Sequence, residues 1–371
     1  MTSGLFGKSG RLPSESALCR RFGASLMTVR GALAELQRRG LIEKRNGVGS
    51  FLTKRALRKS GVIGLVIPDL GKFEFFSIVR KEIARHCARL NYRVELVTTD
   101  KSEPEAAIAD IRHKVRKLAA ARAEGVIFRP YGATDHDKAN LEIVRILRNA
   151  EIPVVLIDTD ITRPPERSEC DLVAVNNIDA GRRIADHLHE RGYRHIAFLT
   201  HKDSRAKDVN WENRLFGLAG ELALLHCDEG VRALRFAPED ASALRAALRG
   251  ARRPDAIVCG NDECAVRLME TLHALGKRIP EDVAVVGFDD NLAQRSVPAL
   301  TTVAQPIGTI AATAFKVLLA RIRYPNNEPR EIFLPAPIVI RASTSVGLPP
   351  SAASEMHLRR SSRKTERKTD R

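Results

Sequence analysis

Five stretches of this chain place a carboxylate, an amide or a guanidinium just after a run of β-branched residues. Asp69 follows VIGLVIP, Arg129 and Tyr131 follow GVIF, and Asp158 follows VVLI. Asn261 and Asp262 follow IVCG, and Asp289 and Asp290 follow VVGF. These types suit a polyol, because each hydroxyl can donate to a carboxylate and accept from an amide or guanidinium. Phe75, Phe76 and Trp211 add flat apolar faces for a sugar ring. Simpler roles stand beside this one: Asp69 as a helix or loop cap, Asp262 as the cap of the next helix, Asp290 as a structural residue, Trp211 as a loop anchor. His86, His187, His189 and His195 show no metal spacing and read as surface or capping residues. No nucleophile–base pair, glycine-rich phosphate loop or zinc motif is legible, so the chemistry is binding rather than catalysis, with no cofactor and no metal.

The elements that must position these residues begin at Gly61. VIGLVIPDL, YRVELVTT, GVIF and IPVVLID alternate with helical patterns at 78–90, 106–123 and 141–148. A second round runs DLVAV, HIAFL, Val231–Phe236, DAIVC and VAVVGF, with helical patterns at 178–190, 215–225, 241–248 and 265–275. Nearly continuous apolar strands, each followed by a helix, predict parallel sheets covered on both faces. Two rounds predict two doubly wound lobes with a cleft between them, ligands binding beyond the carboxyl ends of the strands.

The first 53 residues follow another pattern. Val29, Ala32, Leu33 and Leu36 form one apolar stripe, with Ser25 as N-cap and Gly40 as the left-handed stop. A shorter helix, 15–22, precedes it after Pro13-Ser14, and Gly23-Ala24 turns one into the other. Asn46-Gly47-Val48-Gly49 between two short strands signals a hairpin. Helix, tight turn, helix, hairpin is a winged helix-turn-helix. Met27, Thr28 and Arg30 at the start of the second helix face base edges in such modules, and Lys44 and Arg45 flank the wing within reach of phosphates.

Charge supports the division. The chain has 371 residues and a formal net charge of +16. Residues 1–60 carry 13 Lys/Arg against 3 Asp/Glu, and residues 348–371 carry 7 against 3, which leaves +2 on the other 287. A basic head on a near-neutral body points to nucleic acid. The six cysteines are scattered without a C-x-x-C pair, no leader is legible, and no apolar run reaches the ~18 residues of a membrane span. The expectation is a reduced, cytoplasmic protein away from membranes.

Two resemblances sharpen the reading. LPSE (12–15), FGAS (22–25), MTVRGAL (27–33) and GLIEKRNGVGSF (40–51) resemble the DNA-binding signature of the GntR family, which implies DNA-facing roles for Ser14, Ser25, Thr28, Arg30, Asn46 and Gly47. Ser16 and Leu26 stand where that family often has arginine, so base readout is expected to differ here. The family's first helix would lie before Met1, and the frame is expected to start upstream. From 61 to about 345, GLVIPDL, IPVVLID, AGRRIADHLHERGYRHIAFL, Asn213-Arg214 with Gly217, CGND, IPEDVAVVGFDD, LTTVAQP and IRAST resemble the LacI/GalR effector domain, a relative of periplasmic sugar-binding proteins. That resemblance implies a pocket using Phe75, Asp158, Arg214, Asn261, Asp289 and Gln305, with Asp69, Arg129, Tyr131 and Trp211 as further candidates.

The expected fold class is α/β, an N-terminal winged helix-turn-helix plus a two-lobed periplasmic-binding-protein-like domain of doubly wound parallel sheets. The expected domains are 1–53 (head), 54–60 (linker), 61–346 (effector-binding and dimerisation domain) and 347–371 (basic disordered tail). The combination is similar to the arabinose-repressor class. It implies a homodimeric transcriptional repressor that binds operator DNA and answers a small sugar. The rival is a sugar-binding sensor or transport-type protein with a vestigial head. An enzyme acting on sugars is a third reading, without a catalytic constellation to support it.

Overall fold

The computed structural model describes residues 11–38, 40–45, 48–53, 60–68, 74–101, 103–131, 137–200, 208–227 and 230–345. Asp69, Asn46 and Gly47, the linker residues 54–59 and the tail lie outside them.

Helix α1 (Glu15–Phe22) starts where the Ser14 hydroxyl accepts the Ala17 N–H, and it ends at Gly23, whose φ of 60° needs no Cβ. Helix α2 (Leu26–Arg38) is capped by Ser25, whose hydroxyl accepts the Thr28 N–H at 3.1 Å. Gly40, with φ 64°, turns the chain into β1 (Ile42–Arg45), which pairs antiparallel with β2 (Gly49–Leu52). Leu18, Val29 and Ile42 form the small buried core of this head, while Leu33 and Leu36 are half-buried.

Two units follow from the contacts of the chain. Residues up to Tyr131, Lys138–Val173 and Gly308–Ile332 form the first; Ala174–Ile307 and the described residues from Phe333 onward belong to the second. The first carries strands β3 (Val62–Val66), β4 (Arg93–Val97), β5 (Gly125–Phe128), β6 (Val154–Ile157) and β7 (Asp171–Val175), joined through α3 (Glu74–Arg89), α4 (Pro104–Ala120) and α5 (Asp137–Asn149). Its sheet order is β13-β7-β6-β5-β3-β4, where β13 is Glu331–Leu334. The pairs from β4 to β7 are all parallel. Strands β3, β5, β6 and β7 are buried at every position, as strands covered on both faces must be, whereas β4 at the edge alternates.

The second unit repeats the scheme with α6 (Asn177–Glu190), β8 (Ile196–Thr200), α7 (Val209–Leu224), β9 (Val231–Arg235), α8 (Ala241–Ala247), β10 (Ala256–Cys259), α9 (Asp262–Ala274), β11 (Ala284–Asp289), β12 (Thr301–Ala304) and β14 (Ile338–Val339). Its order is β14-β12-β11-β10-β8-β9, parallel except for the short β12–β14 pair. Leu199, Leu234, Ile257, Leu268, Leu272 and Val285 belong to one apolar core between sheet and helices.

The expected parallel α/β architecture is therefore present, and the late elements complete it. Helix α10 (Ile307–Arg323) returns to the first unit and lies against β5 where Gly125 leaves no room for a Cβ beside Leu318. Arg321 then closes on the buried Asp171 carboxylate at 2.8 Å. Helix α7 starts six residues before the apolar run at 215 because Asp208 caps it through the Asn210 N–H. The polar Asn210, Glu212, Asn213 and Arg214 before the run hid that start from the periodicity.

Candidate functional site

The start of α2 presents a run of exposed side chains: Ser25, Leu26, Met27, Thr28 and Arg30. Ser25 and Thr28 share a hydroxyl–hydroxyl hydrogen bond of 2.8 Å. Arg30 donates through Nε to Glu15 at 2.9 Å, so α1 holds the guanidinium that the sequence pattern aimed at DNA. Ser14 is exposed, caps α1 and bonds Ser16 at 3.1 Å. On the wing Lys44 is exposed, and Arg45 lies over the Phe51 ring at 4.6 Å while pairing with Glu43. The arrangement offers exposed cations and an open helix end, which is what a duplex groove requires.

In the first unit, three predicted residues meet at the carboxyl ends of β5 and β6. Arg129 donates to the Asp158 carboxylate at 3.2 Å, and its guanidinium lies 4.2 Å from the centre of the Phe76 ring. Only 6% of the Arg129 side chain and 16% of Asp158 is exposed, so the pair is a low-dielectric one whose partners depend on each other. Asp158 sits at φ 74°, a left-handed conformation that Asp tolerates better than most residues. Phe75 packs edge-on against Phe76 at 5.2 Å, so Phe76 is the ring that touches the arginine. Tyr131 is buried and its backbone is clamped from both sides by the Asn140 side chain, at 2.9 and 3.0 Å.

The second unit gathers another set at the ends of β10 and β11. The Arg214 guanidinium, on a residue 5% exposed, donates to Asn177 at 2.9 Å and to the Gly260 carbonyl, and stands 3.4 Å from the centre of the Phe288 ring. The Trp211 ring covers Gly260 so closely that a Cβ there would collide with it. Asp289 accepts from the Gln305 amide at 2.7 Å and sits at φ 114°, followed by Asp290 at 60°. Two consecutive left-handed aspartates hold this loop in a costly backbone path. Asp290 pairs with Arg341 at 2.7 Å, the structural role expected of it.

Two simpler expectations change. Asn261, not Asp262, caps α9, through the Cys264 N–H at 2.9 Å. Asp262 is fully buried, accepts from the Thr302 hydroxyl at 2.6 Å and from the Asn291 and Leu292 N–H groups, and burial lifts its pKa to about 6. His187 is no surface histidine: its Nε2 hydrogen-bonds the Thr344 hydroxyl at 2.9 Å, and burial, with Arg191 nearby, lowers its pKa to about 4. The helical period put His187 on the inner face of α6, a position that metal spacing alone could not weigh.

Comparison with known proteins finds matches to both the head and the body of the chain. Residues 2–52 match the model of the bacterial regulatory proteins of the gntR family, and residues 185–344 match the periplasmic binding protein-like domain. The chain is 31% identical over 275 residues to the HTH-type transcriptional repressor PurR of Vibrio atlanticus, covering 73% of this chain and 77% of that one. The chain belongs to the GntR–LacI-type regulators. The arabinose metabolism transcriptional repressor of Geobacillus stearothermophilus is 27% identical over 362 residues, covering 92% and 93% of the two chains. A LacI family transcriptional regulator from Enterococcus faecium, solved with bound ribose, superposes with a TM-score of 0.60 at 25% identity, over 76% of this chain and 98% of that one.

For a GntR–LacI-type regulator, the polar residues that the sequence pattern did not single out are the ones behind the named side chains. Asn177 holds Arg214 and is held by Asn210 at 3.0 Å; Asn140 clamps Tyr131; Glu15 holds Arg30. Buried asparagines at helix starts were the available signal, since an uncharged amide inside a protein needs partners on both ends.

Proposed function

We propose that the protein is a sugar-responsive transcriptional repressor that binds operator DNA as a homodimer. The head, 1–53, reads DNA with Ser14, Ser25, Met27, Thr28, Arg30, Lys44, Arg45, Asn46 and Gly47, and 61–346 binds the effector and dimerises. The observation that carries this reading is the buried Arg214 cluster in the same chain as the exposed α2 start. An arginine stacked on an aromatic ring and bonded to an amide offers donors, an acceptor and an apolar face to a polyol. Relatives named as repressors and a related regulator solved with ribose support the same reading.

In the effector role Arg214 bridges ligand hydroxyls, Asp289 accepts from them with Gln305 orienting it, and Arg129 with Asp158 does the same in the first unit. Phe75, Asn261, Asp69, Tyr131 and Trp211 complete the contacts. The effector alters DNA binding only to the extent that it binds one state of the protein better than the other. Members of this family are regulators, and no catalytic role is assigned.

The test is a gel-shift with the DNA upstream of the protein's own gene, at stated salt, against a panel of sugars. One sugar is expected to release the duplex, and it is expected to raise the thermal midpoint of the protein alone. Arg30→Ala is expected to weaken the shift while the thermal response to sugar persists. Asp289→Ala is expected to keep the shift and lose the response. A duplex held equally well with and without every sugar that stabilises the protein refutes the regulatory reading.

A further inference from the structure

The first turn of α2 raises a question of its own. Met27 is 79% exposed and Leu26 45%, two consecutive apolar side chains at the end of the helix that the proposed function sends into DNA. Single exposed apolar residues are common and need no reason. Here, however, the neighbouring polar groups are turned toward each other. The Ser25 hydroxyl accepts the Thr28 N–H and bonds the Thr28 hydroxyl, and Arg30 Nε is on Glu15. Beside these engaged polar groups the turn presents the exposed hydrocarbon of Leu26 and Met27. On the major-groove edge of B-DNA the apolar group is the C5 methyl of thymine, and every other feature is a hydrogen-bond donor or acceptor.

We infer that Leu26 and Met27 read thymine methyl groups, so that each operator half-site carries thymines next to the base contacted by Arg30. Arg30 has its Nε engaged by Glu15 while 60% of its side chain is exposed, and the fork of an arginine's nitrogens matches O6 and N7 of guanine. The half-site is then specified by one arginine–guanine contact and a pair of methyl contacts. This inference rests on α2 being the DNA-reading helix.

The experiment has two stages. Duplexes are first selected from a random pool by the full chain, and thymines in the enriched half-site are then replaced one at a time by deoxyuridine, which lacks only the methyl. The enriched half-site is expected to hold thymines beside a guanine. At two of them, removing the methyl is expected to weaken binding about fourfold, the factor that burial of one methylene-sized group carries. The slope of log K against log salt is expected to stay the same, because no phosphate contact is lost. Met27→Ala is expected to abolish sensitivity to one replacement and Leu26→Ala to the other. Both side chains are exposed, so both variants should keep the wild-type thermal midpoint. Equal binding of thymine and deoxyuridine duplexes, with Arg30→Ala still impaired, overturns the thymine readout and leaves the DNA-reading role of α2 standing. Failure to enrich any duplex overturns both.

Discussion

Helices α6 and α7 cross at two glycines, and the crossing sets the position of Arg214. A Cβ on Gly217 would collide with the Ile178 carbonyl oxygen, and one on Gly181 with the Arg214 carbonyl oxygen, each far inside the 3.0 Å that real Cβ atoms keep. Both obstacles are backbone, so no rotamer change relieves them. In Gly217→Ala the helices must part by roughly 1 Å to restore a normal separation. Two terms oppose each other. Alanine in a helix interior is favoured over glycine by about 1 kcal/mol. Overpacking costs about 1–3 kcal/mol, and disturbing the hydrogen bond from Arg214 to Asn177 adds about 1.5–3 kcal/mol for a bond to a charged group. The net expectation is a loss of roughly 1.5–5 kcal/mol. Gly220 lies three residues along the same helix, and a Cβ added there would meet nothing within 4 Å. Gly220→Ala should therefore gain up to about 1 kcal/mol. Urea midpoints followed by circular dichroism measure both. Opposite signs for the two variants are the expected outcome. A Gly217→Ala protein as stable as wild type would refute the packing argument and, with it, the claim that this crossing places Arg214.

Three further outcomes follow from the geometry. The His187 pKa of about 4 lies below the unfolded value of 6.5, so the unfolded chain takes the proton first and the neutral ring's contribution, complete above pH 6.5, is lost as pH falls toward 4. That amounts to about 3 kcal/mol between pH 7.5 and pH 4. Asp262 acts oppositely: its pKa is raised above 3.8 to about 6, so its favourable share is complete below 3.8 and lost as pH rises through 6. The two partly cancel in the wild type, and the difference in unfolding free energy between wild type and His187→Gln across that range isolates the histidine. Asp158→Asn removes the carboxylate charge that faces the buried Arg129 guanidinium and should cost about 3–5 kcal/mol in a urea titration, whereas the Arg129→Met, Asp158→Asn double variant should recover much of it. A pair of single and double variants with equal midpoints would mean that the ion pair is not what holds this corner.

How much of this was legible in the residues themselves can be argued element by element. Runs such as VIGLV, VVLI and AIVC specify buried parallel strands because they carry no polar side chain and are rich in branched ones, and they fold so. Strand β9 was placed correctly although only Leu234 in it is buried, since the edge of a sheet is covered less than its centre. The cap at Ser25, the turn at Gly23 and the left-handed stop at Gly40 were equally plain, being local hydrogen bonds and backbone angles within a few residues. Helix α10 and strands β12 to β14 were not legible as elements, because their packing partners lie far away in the chain: Leu318 against Gly125, Arg321 on Asp171.

The candidate residues divide in the same way. The sequence alone determined which side chains stand just after each strand, since the strand pattern is a short-range property and the carboxyl ends follow from it. Only the tertiary structure decided what each of them touches. Arg129 meets Asp158 across 29 positions, Gln305 meets Asp289 across 16, and Arg214 meets the Gly260 carbonyl across 46. It also turned Phe76 rather than Phe75 toward the arginine, gave the α9 cap to Asn261 and put His187 inside. Such choices depend on how sheets twist and helices cross to fill space densely, and close packing is a property of the whole assembly that no local window contains.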